Sequence, residues 1–467
     1  MTGTGTAASF VFDANRCTGC GACRVACTIE NGLAPDASWR RVDTFNPRRH
    51  PLAPLFHLSL ACNHCADAAC MSACPALAYT RDAGTGAVLI DGAKCIGCGY
   101  CSWACPYDAP VVDEQAGVMT KCTWCAERLR AGLKPACAAH CPTGALDFAE
   151  VPEGERVLAI EGLPQTSLRP ALHVVPLAPG RRQPEMTAGE VAHPVAALQP
   201  SPGDSDISLK KEWPLAAFTL SAAGLVAAFN AAHAGALAID ARAFAAAAAA
   251  ALGLASAHLG RRTRAWRAIL NVRRSWLSRE IVALSGFFGL ATLWLVFAPG
   301  QRALGAAIAL VGFAGLFAAD AVYVVLPSGP GYRHSASVLW TGLLFAALAG
   351  GEPEIGVLVG AAKLYLYVER KRRFAAAGRP LRPVMSVLRG GVGLVLPFAL
   401  WTMGPAASAA AAALVVFGEV VDRVEYYREL ERESPRRQLP LALERRLAER
   451  EPARDHGTVT PSAAPAR

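Results

Sequence analysis

The sequence predicts two structural halves, an α+β domain at the N-terminus and an all-α polytopic membrane bundle of about eight helices behind it. All sixteen cysteines of the 467-residue chain lie between residues 17 and 141. From Trp213 onward, long apolar stretches alternate with short polar loops, and the chain as a whole is 53% hydrophobic with a mean hydropathy of +0.28. A cysteine-rich polar half followed by a membrane half accounts for both observations.

The cysteines form four quartets with repeating spacing. They are Cys17, Cys20, Cys23 and Cys27; Cys62, Cys65, Cys70 and Cys74; Cys95, Cys98, Cys101 and Cys105; and Cys122, Cys125, Cys137 and Cys141. Three cysteines at short steps hold one corner of an iron–sulfur cube, and the fourth, often followed by proline, ligates the neighbouring cluster. The spacing therefore predicts four [4Fe–4S] clusters, held as two ligand-swapping pairs in a duplicated ferredoxin-like domain.

Two other uses of cysteine fit the spacing less well. A zinc ribbon needs two C-x2-C pairs for each metal and no third cysteine three residues later. A disulfide framework is typical of small secreted domains, and the N-terminus shows neither an apolar signal segment nor a twin arginine. The sequence thus favours iron–sulfur clusters in a reducing compartment.

Composition divides the chain into four segments. Residues 1–150 are the predicted ferredoxin-like domain, in which short strands precede the cluster loops. Residues 151–211 contain nine prolines and are predicted to be a tail and extended linker. Residues 212–427 form the predicted membrane anchor, and residues 428–467 a charged tail with a solvated helix followed by disorder.

Eight apolar stretches are predicted to form the helices of the anchor. They are residues 214–234, 239–259, 281–298, 303–326, 336–351, 354–369, 387–403 and 406–426. The second and eighth are rich in alanine and only weakly hydrophobic, and the fifth and sixth are short.

Basic residues between these stretches predict the orientation of the anchor. With the N-terminus in the cytoplasm, the cytoplasmic loops carry fifteen basic residues and the opposite loops carry only Arg242 and Arg302. The fifteen are Arg261, Arg262, Arg264, Arg267, Arg273, Arg274, Arg279, Arg333, Arg370, Lys371, Arg372, Arg373, Arg379, Arg382 and Arg389. The net charge of +9 is therefore interpreted as a topology signal and not as a nucleic-acid surface. We expect a multi-pass protein of the inner membrane with the cysteine-rich domain and the C-terminal tail in the cytoplasm.

The membrane half must exchange electrons with the predicted clusters, and a lipid-soluble quinone suits this role better than haem. The predicted helices contain only two histidines, His233 and His258, at opposite ends of the bundle, so no bis-histidyl haem is expected. Ionisable residues in membrane helices are functional candidates. Those on the inner side are His258, Glu280, Asp320, Lys363, Glu419, Asp422 and Arg423.

A quinol needs hydrogen-bond partners and a base for its protons, and His258 and Glu280 are the leading candidates for these roles. Lys363 and Glu419 are weaker ones. For Lys363 the alternative is a side chain that snorkels to the interface, and for Arg423 it is a helix-end anchor.

The sequence resembles two subunits of the dimethyl sulfoxide reductase family of molybdenum enzymes. Residues 10–148 resemble the iron–sulfur electron-transfer subunit, through the motifs CTGCGACRVAC (17–27), CNHCADAACMSACP (62–75), CIGCGYCSWACP (95–106), CTWC and CAAHCP (122–142). Residues 212–427 resemble the membrane-anchor subunit, through EWPL (212–215), HLGRRTRAWRAILNVRRSWLSRE (258–280) and GEVVDRVEYY (418–427). The sequence therefore looks like a natural fusion of both.

The resemblance implies how the cysteines share clusters. Cys17, Cys20 and Cys23 would join Cys141; Cys122, Cys125 and Cys137 would join Cys27; Cys62, Cys65 and Cys70 would join Cys105; and Cys95, Cys98 and Cys101 would join Cys74. It also implies that the cluster of Cys17 lies nearest the molybdenum subunit and the last nearest the quinone, and that the quinol site surrounds His258 and Glu280.

The function implied is that of an electron-transfer and anchor subunit of an oxidoreductase complex. It would link the quinone pool to a separate molybdopterin catalytic subunit, and molybdopterin would be bound only by that partner. A domain tied to inserted helices could hardly be exported already folded, so the catalytic site is expected in the cytoplasm. Sulfite dehydrogenases of the cytoplasm and S- or N-oxide reductases both fit this expectation. The alternatives are a stand-alone ferredoxin–quinone adaptor without a molybdenum partner, and a metal-free membrane scaffold.

Overall fold

A computed structural model describes most of the chain. The described residues are 6–34, 37–179, 209–326, 333–376, 379–401, 403, 405–430 and 432–450. Most of the predicted linker, residues 180–208, and the predicted disordered end, residues 451–467, lie outside this range.

The N-terminal half is built from nine short strands and five short helices. The strands are β1 Thr6–Asp13, β2 Arg41–Phe45, β3 Phe56–Leu60, β4 Tyr79–Arg81, β5 Val88–Ile90, β6 Val111–Asp113, β7 Val118–Thr120, β8 Leu146–Pro152 and β9 Leu172–Val175. The helices are α1 Ala22–Glu30, α2 Ala69–Ala73, α3 Tyr100–Trp103, α4 Ala126–Arg130 and α5 Ala136–Ala139. These elements confirm an α+β half, while the duplicated ferredoxin arrangement stays a prediction.

The strands pair into one three-stranded sheet and three hairpins. In the sheet, β1 lies between antiparallel β8 and parallel β9, so that Phe10 is opposite Phe148 on one side and Leu172 on the other. The hairpins are β2–β3, β4–β5 and β6–β7. The β4–β5 and β6–β7 hairpins have only three residues in each strand, whereas β2–β3 buries Phe45, Phe56 and Leu58 in the core.

The first domain extends beyond the boundary predicted at residue 150. β8 runs to Pro152, and β9 completes the sheet some twenty residues later. Ile160, Leu163 and Val174 are buried in the core around Phe10. The prolines predicted to mark a linker thus lie partly in an ordered segment that covers one edge of β1, because its apolar side chains add to a small core.

The C-terminal half is helical. Its helices are α6 Leu209–Ala234, α7 Ala241–Ala257, α8 Trp276–Phe297, α9 Arg302–Ala321, α10 Val338–Gly350, α11 Pro353–Ala376, α12 Pro383–Ser386, α13 Leu396–Trp401, α14 Pro405–Glu429 and α15 Pro435–Arg450. A π-helical segment, Val387–Val395, joins α12 to α13, and a 3₁₀ segment, Arg262–Ile269, follows α7. Each of the eight apolar stretches coincides with helix.

Fewer of these helices have the length and apolarity of a membrane span. Among the described residues, four qualify: Glu212–Ala234, Trp276–Phe297, Arg302–Val325 and Pro383–Trp401. A fifth is added if α7 and the 3₁₀ segment, which bend by 102° at their junction, count as one span. The structure therefore has a helical region with four or five candidate spans, and the count of eight stays a prediction.

Helix starts follow local capping rather than the onset of apolar sequence. The Ser275 side chain accepts a hydrogen bond from the Ser278 backbone N–H, so α8 begins at Trp276 and not at the predicted residue 281. Asp240 caps α7 in the same way through the Ala243 N–H. Glu280 therefore lies inside the second turn of α8 rather than in a loop.

The tail helix predicted to be solvated is packed against the first domain. The helix α15 is present, but Leu439, Leu443 and Leu447 are buried in the same core as Phe10. Their four-residue spacing puts them on one face of the helix. The alternating Arg and Glu residues suggested a solvated helix because they occupy its other faces.

Candidate metal centres and their junction with the helical half

The thiols that act on one another's pKa fall into four sets, each of which combines three cysteines of one quartet with the last cysteine of another. The first set is Cys17, Cys20, Cys23 and Cys141; the second is Cys27, Cys122, Cys125 and Cys137; the third is Cys62, Cys65, Cys70 and Cys105; the fourth is Cys74, Cys95, Cys98 and Cys101. Burial raises the pKa of the Cys17 thiol, and the charges of Cys23, Cys141 and Cys20 raise it further. Members of the other three sets act on one another in the same way. Neighbouring sets also meet, since Cys62 acts on Cys122 and Cys101 acts on Cys70.

The thiols of each set do not close on a point as they would around one metal ion. In the described part of the chain, no three cysteine, histidine or acidic side chains converge as they would on a single metal ion. In a zinc site each thiolate lies about 2.3 Å from the ion. The third set shows the space directly, because its four cysteines line a cavity together with Tyr107 and Leu168. All sixteen thiols are free of disulfides.

Glycines shape the loops that carry the thiols. Gly19 and Gly21 in the first loop, and Gly97 and Gly99 in the third, adopt positive φ between 71° and 75°. A Cβ on Gly19 would lie 2.7 Å from the ring of His57. Positive φ and close approach both favour glycine, so the C-x-G-C spacing follows from the turn that the thiols require.

Backbone N–H groups point at the cysteine sulfurs, as iron–sulfur ligation requires. The N–H groups of His64, Gly97 and Trp124 each lie 3.4 Å from the sulfur of the cysteine two residues before them. The N–H groups of Ala78 and Leu146 approach Cys74 and Cys141 at the same distance. Hydrogen bonds of this kind stabilise thiolates and tune cluster potentials, so the donor set fits [4Fe–4S] clusters.

Burial keeps several of these thiols protonated until a metal replaces the proton. It raises the pKa of Cys27 and of Cys105 to about 11 and that of Cys98 to about 12. Since ligands must be deprotonated, metal binding at these sites releases protons and is linked to folding.

The fourth set lies directly against the loop that joins α7 to α8. Arg261, Arg264 and Arg267 recur every three residues, which is the 3₁₀ period, and face the first domain. Their guanidinium groups donate to the carbonyl oxygens of Ala116 at 2.6 Å, Gly92 at 2.7 Å and Ala76 at 3.2 Å. These arginines, which were interpreted only as topology signals, thus also bind the cluster-bearing loops.

Two further residues complete this junction from the helical side. Asn271 donates to the carbonyl oxygen of Cys74 at 2.9 Å, and Ser275 to that of Ala73 at 2.8 Å. From the other side, the Tyr100 hydroxyl donates to the Val322 carbonyl oxygen at 2.8 Å. The fourth set is therefore held at the interface by hydrogen bonds from both halves.

Three glycines allow the two backbones to meet at this junction. A Cβ on Gly260 would overlap the carbonyl oxygen of Gly117, and a Cβ on Gly97 would lie 2.9 Å from the backbone of Gly260. A side chain at Gly260 must therefore separate the loop from the fourth set.

We expect Gly260→Val to open the junction and slow the reduction of the clusters by a quinol analogue by about tenfold or more, because overpacking against backbone costs about 1–3 kcal/mol. Stopped-flow absorbance would measure the rate. Gly253→Val is the matched control, since a Cβ at Gly253 in α7 meets nothing within 4 Å. Equal rates in the two variants would show that the contact is not needed.

The two leading quinone candidates flank the fourth set. His258 ends α7 half-buried, with its Nδ1 without a hydrogen-bond partner, and Glu280 is 3% exposed. The residue that follows each of them, Leu259 and Ile281, packs on the core formed around the fourth set. The Glu280 carboxylate makes no hydrogen bond to a described residue.

Charged and aromatic groups surround Glu280. Asp320 and Arg423 are the charges nearest to it within the helical half. Burial raises the pKa of Tyr100 in the first domain, and the charges of Glu280 and Cys98 raise it further, which places Tyr100 between them. The Tyr323 and Tyr427 hydroxyls lie 2.5 Å apart nearby.

The weaker candidates, Lys363 and Glu419, are paired with each other. Their Nζ and Oε2 atoms lie 3.1 Å apart, and both side chains are fully buried, so Lys363 does not snorkel. Arg389 bridges Glu419 and Asp422 at 2.9 Å each, and Arg370 continues the network to Asp422 at 3.0 Å. These pairs join α11, the π-helical segment and α14, and their mutual neutralisation favours a structural role.

Asp320 also has a structural role. Its carboxylate accepts hydrogen bonds from the backbone N–H groups of Val338 at 2.7 Å and Leu339 at 3.0 Å, so it caps α10 from α9. Arg423 is 2% exposed, and its Nε and Nη2 atoms have no hydrogen-bond partner. Of the seven inner ionisable residues, His258, Glu280 and Arg423 are thus the least satisfied.

Sequence reasoning missed several buried polar residues beside the cysteines. Arg40, Lys121 and Tyr100 are at most 3% exposed. Tyr100 lies inside the CIGCGYC motif, but Arg40 has no periodic or spacing signal in the sequence, and its burial follows only from the packing of β2 against β3.

Two family models match the sequence, one in each half. The model described as "4Fe-4S dicluster domain" matches residues 54–151, and the one described as "DMSO reductase anchor subunit (DmsC)" matches residues 209–311. Together they support a fusion of an iron–sulfur domain with a membrane-anchor domain.

Curated relatives match the N-terminal half. An anaerobic dimethyl sulfoxide reductase chain of Haemophilus influenzae is 42% identical over 153 residues, 31% of this protein and 74% of the relative. The chain of the same name from Escherichia coli is 37% identical over 198 residues, 40% of this protein and 96% of the relative. A sulfite dehydrogenase subunit of Allochromatium vinosum is 34% identical over 200 residues, 37% of this protein and 83% of the relative.

Proposed function

The protein belongs to the family of iron–sulfur subunits of anaerobic dimethyl sulfoxide reductases, and from that premise we propose that it carries electrons between the quinone pool and a separate molybdopterin subunit. Its DmsC-type domain makes it the membrane anchor as well. The substrate chemistry of the complex belongs to the partner.

The observation that carries this proposal is the convergence of sixteen thiols into four sets that cross between quartets. We assign one [4Fe–4S] cluster to each set, with the ligand sharing that the resemblance implies. When bound, each cluster takes up and releases one electron without a proton. Four adjacent sets can therefore conduct electrons through the whole first domain.

The positions of the sets distinguish a quinone end and a catalytic end of the electron-transfer path. The fourth set borders the junction with the helical half, which supports its assignment as the quinone end. In the first set Cys20 is exposed, and Val25 and Ile29 on the neighbouring α1 are 58% and 76% exposed. We propose that the catalytic subunit covers this apolar face of α1, because electrons must leave where a cluster nears the surface.

Quinol oxidation at the other end would use His258 and Glu280. A quinol that becomes a quinone releases two electrons and two protons, and the electrons leave one at a time toward the fourth set. Glu280, buried and without a hydrogen-bond donor among the described residues, can accept one proton, and the unpartnered Nδ1 of His258 can accept the other. In the reverse direction the same groups would deliver protons to the quinone.

The distribution of basic residues supports a compartment for the protein, and its relatives support a substrate class for the partner. The excess of basic residues predicted for the cytoplasmic side supports an inner-membrane protein with the iron–sulfur domain in the cytoplasm. Six of the fifteen residues predicted in loops lie instead in helices: Arg279 in α8, residues 370–373 in α11, and Arg389 in the π-helical segment. The relatives include subunits of dimethyl sulfoxide reductases and of a sulfite dehydrogenase, so the partner would act on an S- or N-oxide or on sulfite.

EPR of the purified, oxidised complex before and after the addition of sulfite tests this proposal. Reduced clusters would identify a sulfite dehydrogenase that sends electrons toward quinone. If sulfite leaves the clusters oxidised, they are reduced with a quinol analogue and dimethyl sulfoxide is added, and reoxidation would identify a terminal reductase. A complex that responds to neither and purifies without a molybdenum-containing partner would instead be the stand-alone ferredoxin–quinone adaptor.

A further inference from the structure

Arg40 is a buried cation without an acidic partner. Its side chain is 2% exposed, and among the described residues no carboxylate forms an ion pair with it. Its Nη1 atom donates to the Ser59 carbonyl oxygen at 3.3 Å and to the Ser59 hydroxyl at 3.1 Å, while Nε and Nη2 have no hydrogen-bond partner. A buried charge in this state requires a counter-charge nearby.

The groups that act on the Arg40 guanidinium once they are ionised are cysteines of two different sets. Cys137 and Cys122 act on it most, followed by Cys23 and Cys27. Three of these belong to the second set and one to the first. The Ser59 hydroxyl that Arg40 contacts lies 3.3 Å from the sulfur of Cys23. Arg40 therefore occupies the space between the first and second sets.

Lys121 occupies a similar position next to the second and third sets. It is 1% exposed, its Nζ donates to the carbonyl oxygens of Cys122 at 3.0 Å and of Val88, and it forms no ion pair with a described acidic residue. Its charge acts on Cys70 of the third set. Lys121 thus lies between the second and third sets.

We propose that Arg40 and Lys121 are the fixed counter-ions of the electron wire and that each raises the reduction potentials of the two clusters it separates. The inference rests on the proposed function, because it needs the clusters. Four thiolates and a [4Fe–4S] core carry a net charge of −2 when oxidised and −3 after one electron is added. A buried positive charge therefore stabilises the reduced form more than the oxidised form.

Two cations placed between three sets give each cluster a different electrostatic environment. The charge of Arg40 acts on cysteines of the first and second sets, while Lys121 acts on Cys70 of the third set and donates to the backbone of Cys122 in the second. The second cluster is consequently the one whose potential depends most on fixed charge. Arg40 and Lys121 position charge and do not exchange protons or electrons themselves.

Redox titration of the full-length protein followed by EPR tests the inference, with Arg40→Met, Arg40→Lys and Lys121→Met as variants. Arg40→Met should lower the reduction potentials of two clusters by at least about 59 mV, which for one electron is a fall of about tenfold in the ratio of reduced to oxidised cluster. Lys121→Met should lower the reduction potentials of a different pair of clusters, and the second cluster should belong to both pairs. Arg40→Lys keeps the charge and should keep the potentials near those of the unaltered protein.

The outcomes separate this inference from the proposed function. Unchanged reduction potentials in both methionine variants, with iron content intact, would overturn the counter-ion role without affecting the proposed electron-transfer function. Equal shifts in Arg40→Met and Arg40→Lys would assign Arg40 to packing over the Phe10 ring, 4.5 Å away, and not to charge. Absence of iron from the unaltered protein would overturn the proposed function itself.

Discussion

Removing the iron is expected to unfold residues 6–175 while α6 to α14 stay helical. The first domain has no strand longer than the eight residues of β1, and α2 to α5 have only four or five residues each. Nine of its sixteen cysteines are buried, so the ligand sites occupy the interior where an ordinary domain would have apolar side chains. Without metal, the buried thiols take up protons and the four sets lose what holds them together.

Limited proteolysis, circular dichroism and absorbance would follow this transition during treatment with an iron chelator and a reductant. We expect the broad absorption at about 400 nm to disappear as cleavage sites open within residues 6–175, with most of the helical signal retained. The same mixture without chelator is the control. A domain that resists protease after its iron is lost would show that the core is sufficient by itself.

Glu280→Gln is expected to slow quinol oxidation by about 100-fold or more, because the amide keeps the shape of the carboxylate but cannot accept a proton. Dithionite, which reduces the clusters without a quinol, should reduce them as fully as before. Stopped-flow absorbance of the membrane-bound complex would measure the rate at which a quinol analogue reduces the clusters. The absorbance change on adding dithionite would measure how completely the clusters can be reduced.

Glu354→Gln is the matched control for this variant. Glu354 is exposed in the first turn of α11, and the substitution makes the same chemical change away from the junction. A normal rate in Glu280→Gln would remove Glu280 from the quinol site. A loss of dithionite reduction as well would mean that the substitution damages the junction and not the proton acceptor.

Much of the fold was predictable because it is encoded locally. Cysteines three residues apart require tight turns with positive φ, which Gly19 and Gly97 supply in two loops and His64 and Trp124 in the other two. The apolar stretches coincide with helices because each is a long apolar run, and some begin at a side-chain cap, such as Ser275 before α8. The family match agrees with both halves.

The candidate site was predictable only in part. His258 and Glu280 stay predictions for the quinone site, and the structure packs the residue after each of them, Leu259 and Ile281, on the core around the fourth set. Lys363 and Glu419 carried the same sequence signal, yet they neutralise each other across 56 positions of the sequence. A sequence shows that a charge is present in a helix but not whether a partner on another helix has already satisfied it.

By itself, then, the sequence determined the two halves, the sixteen thiols and the helical stretches, because spacing and hydropathy act over a few residues. Only the tertiary structure decided that β9 completes the first sheet, that α15 packs on the first domain, and that Arg40 lies between two cysteine sets. The physical reason is the same in each case. These features depend on contacts between segments far apart in the sequence, where close packing and the pairing of buried charge decide the position of each residue.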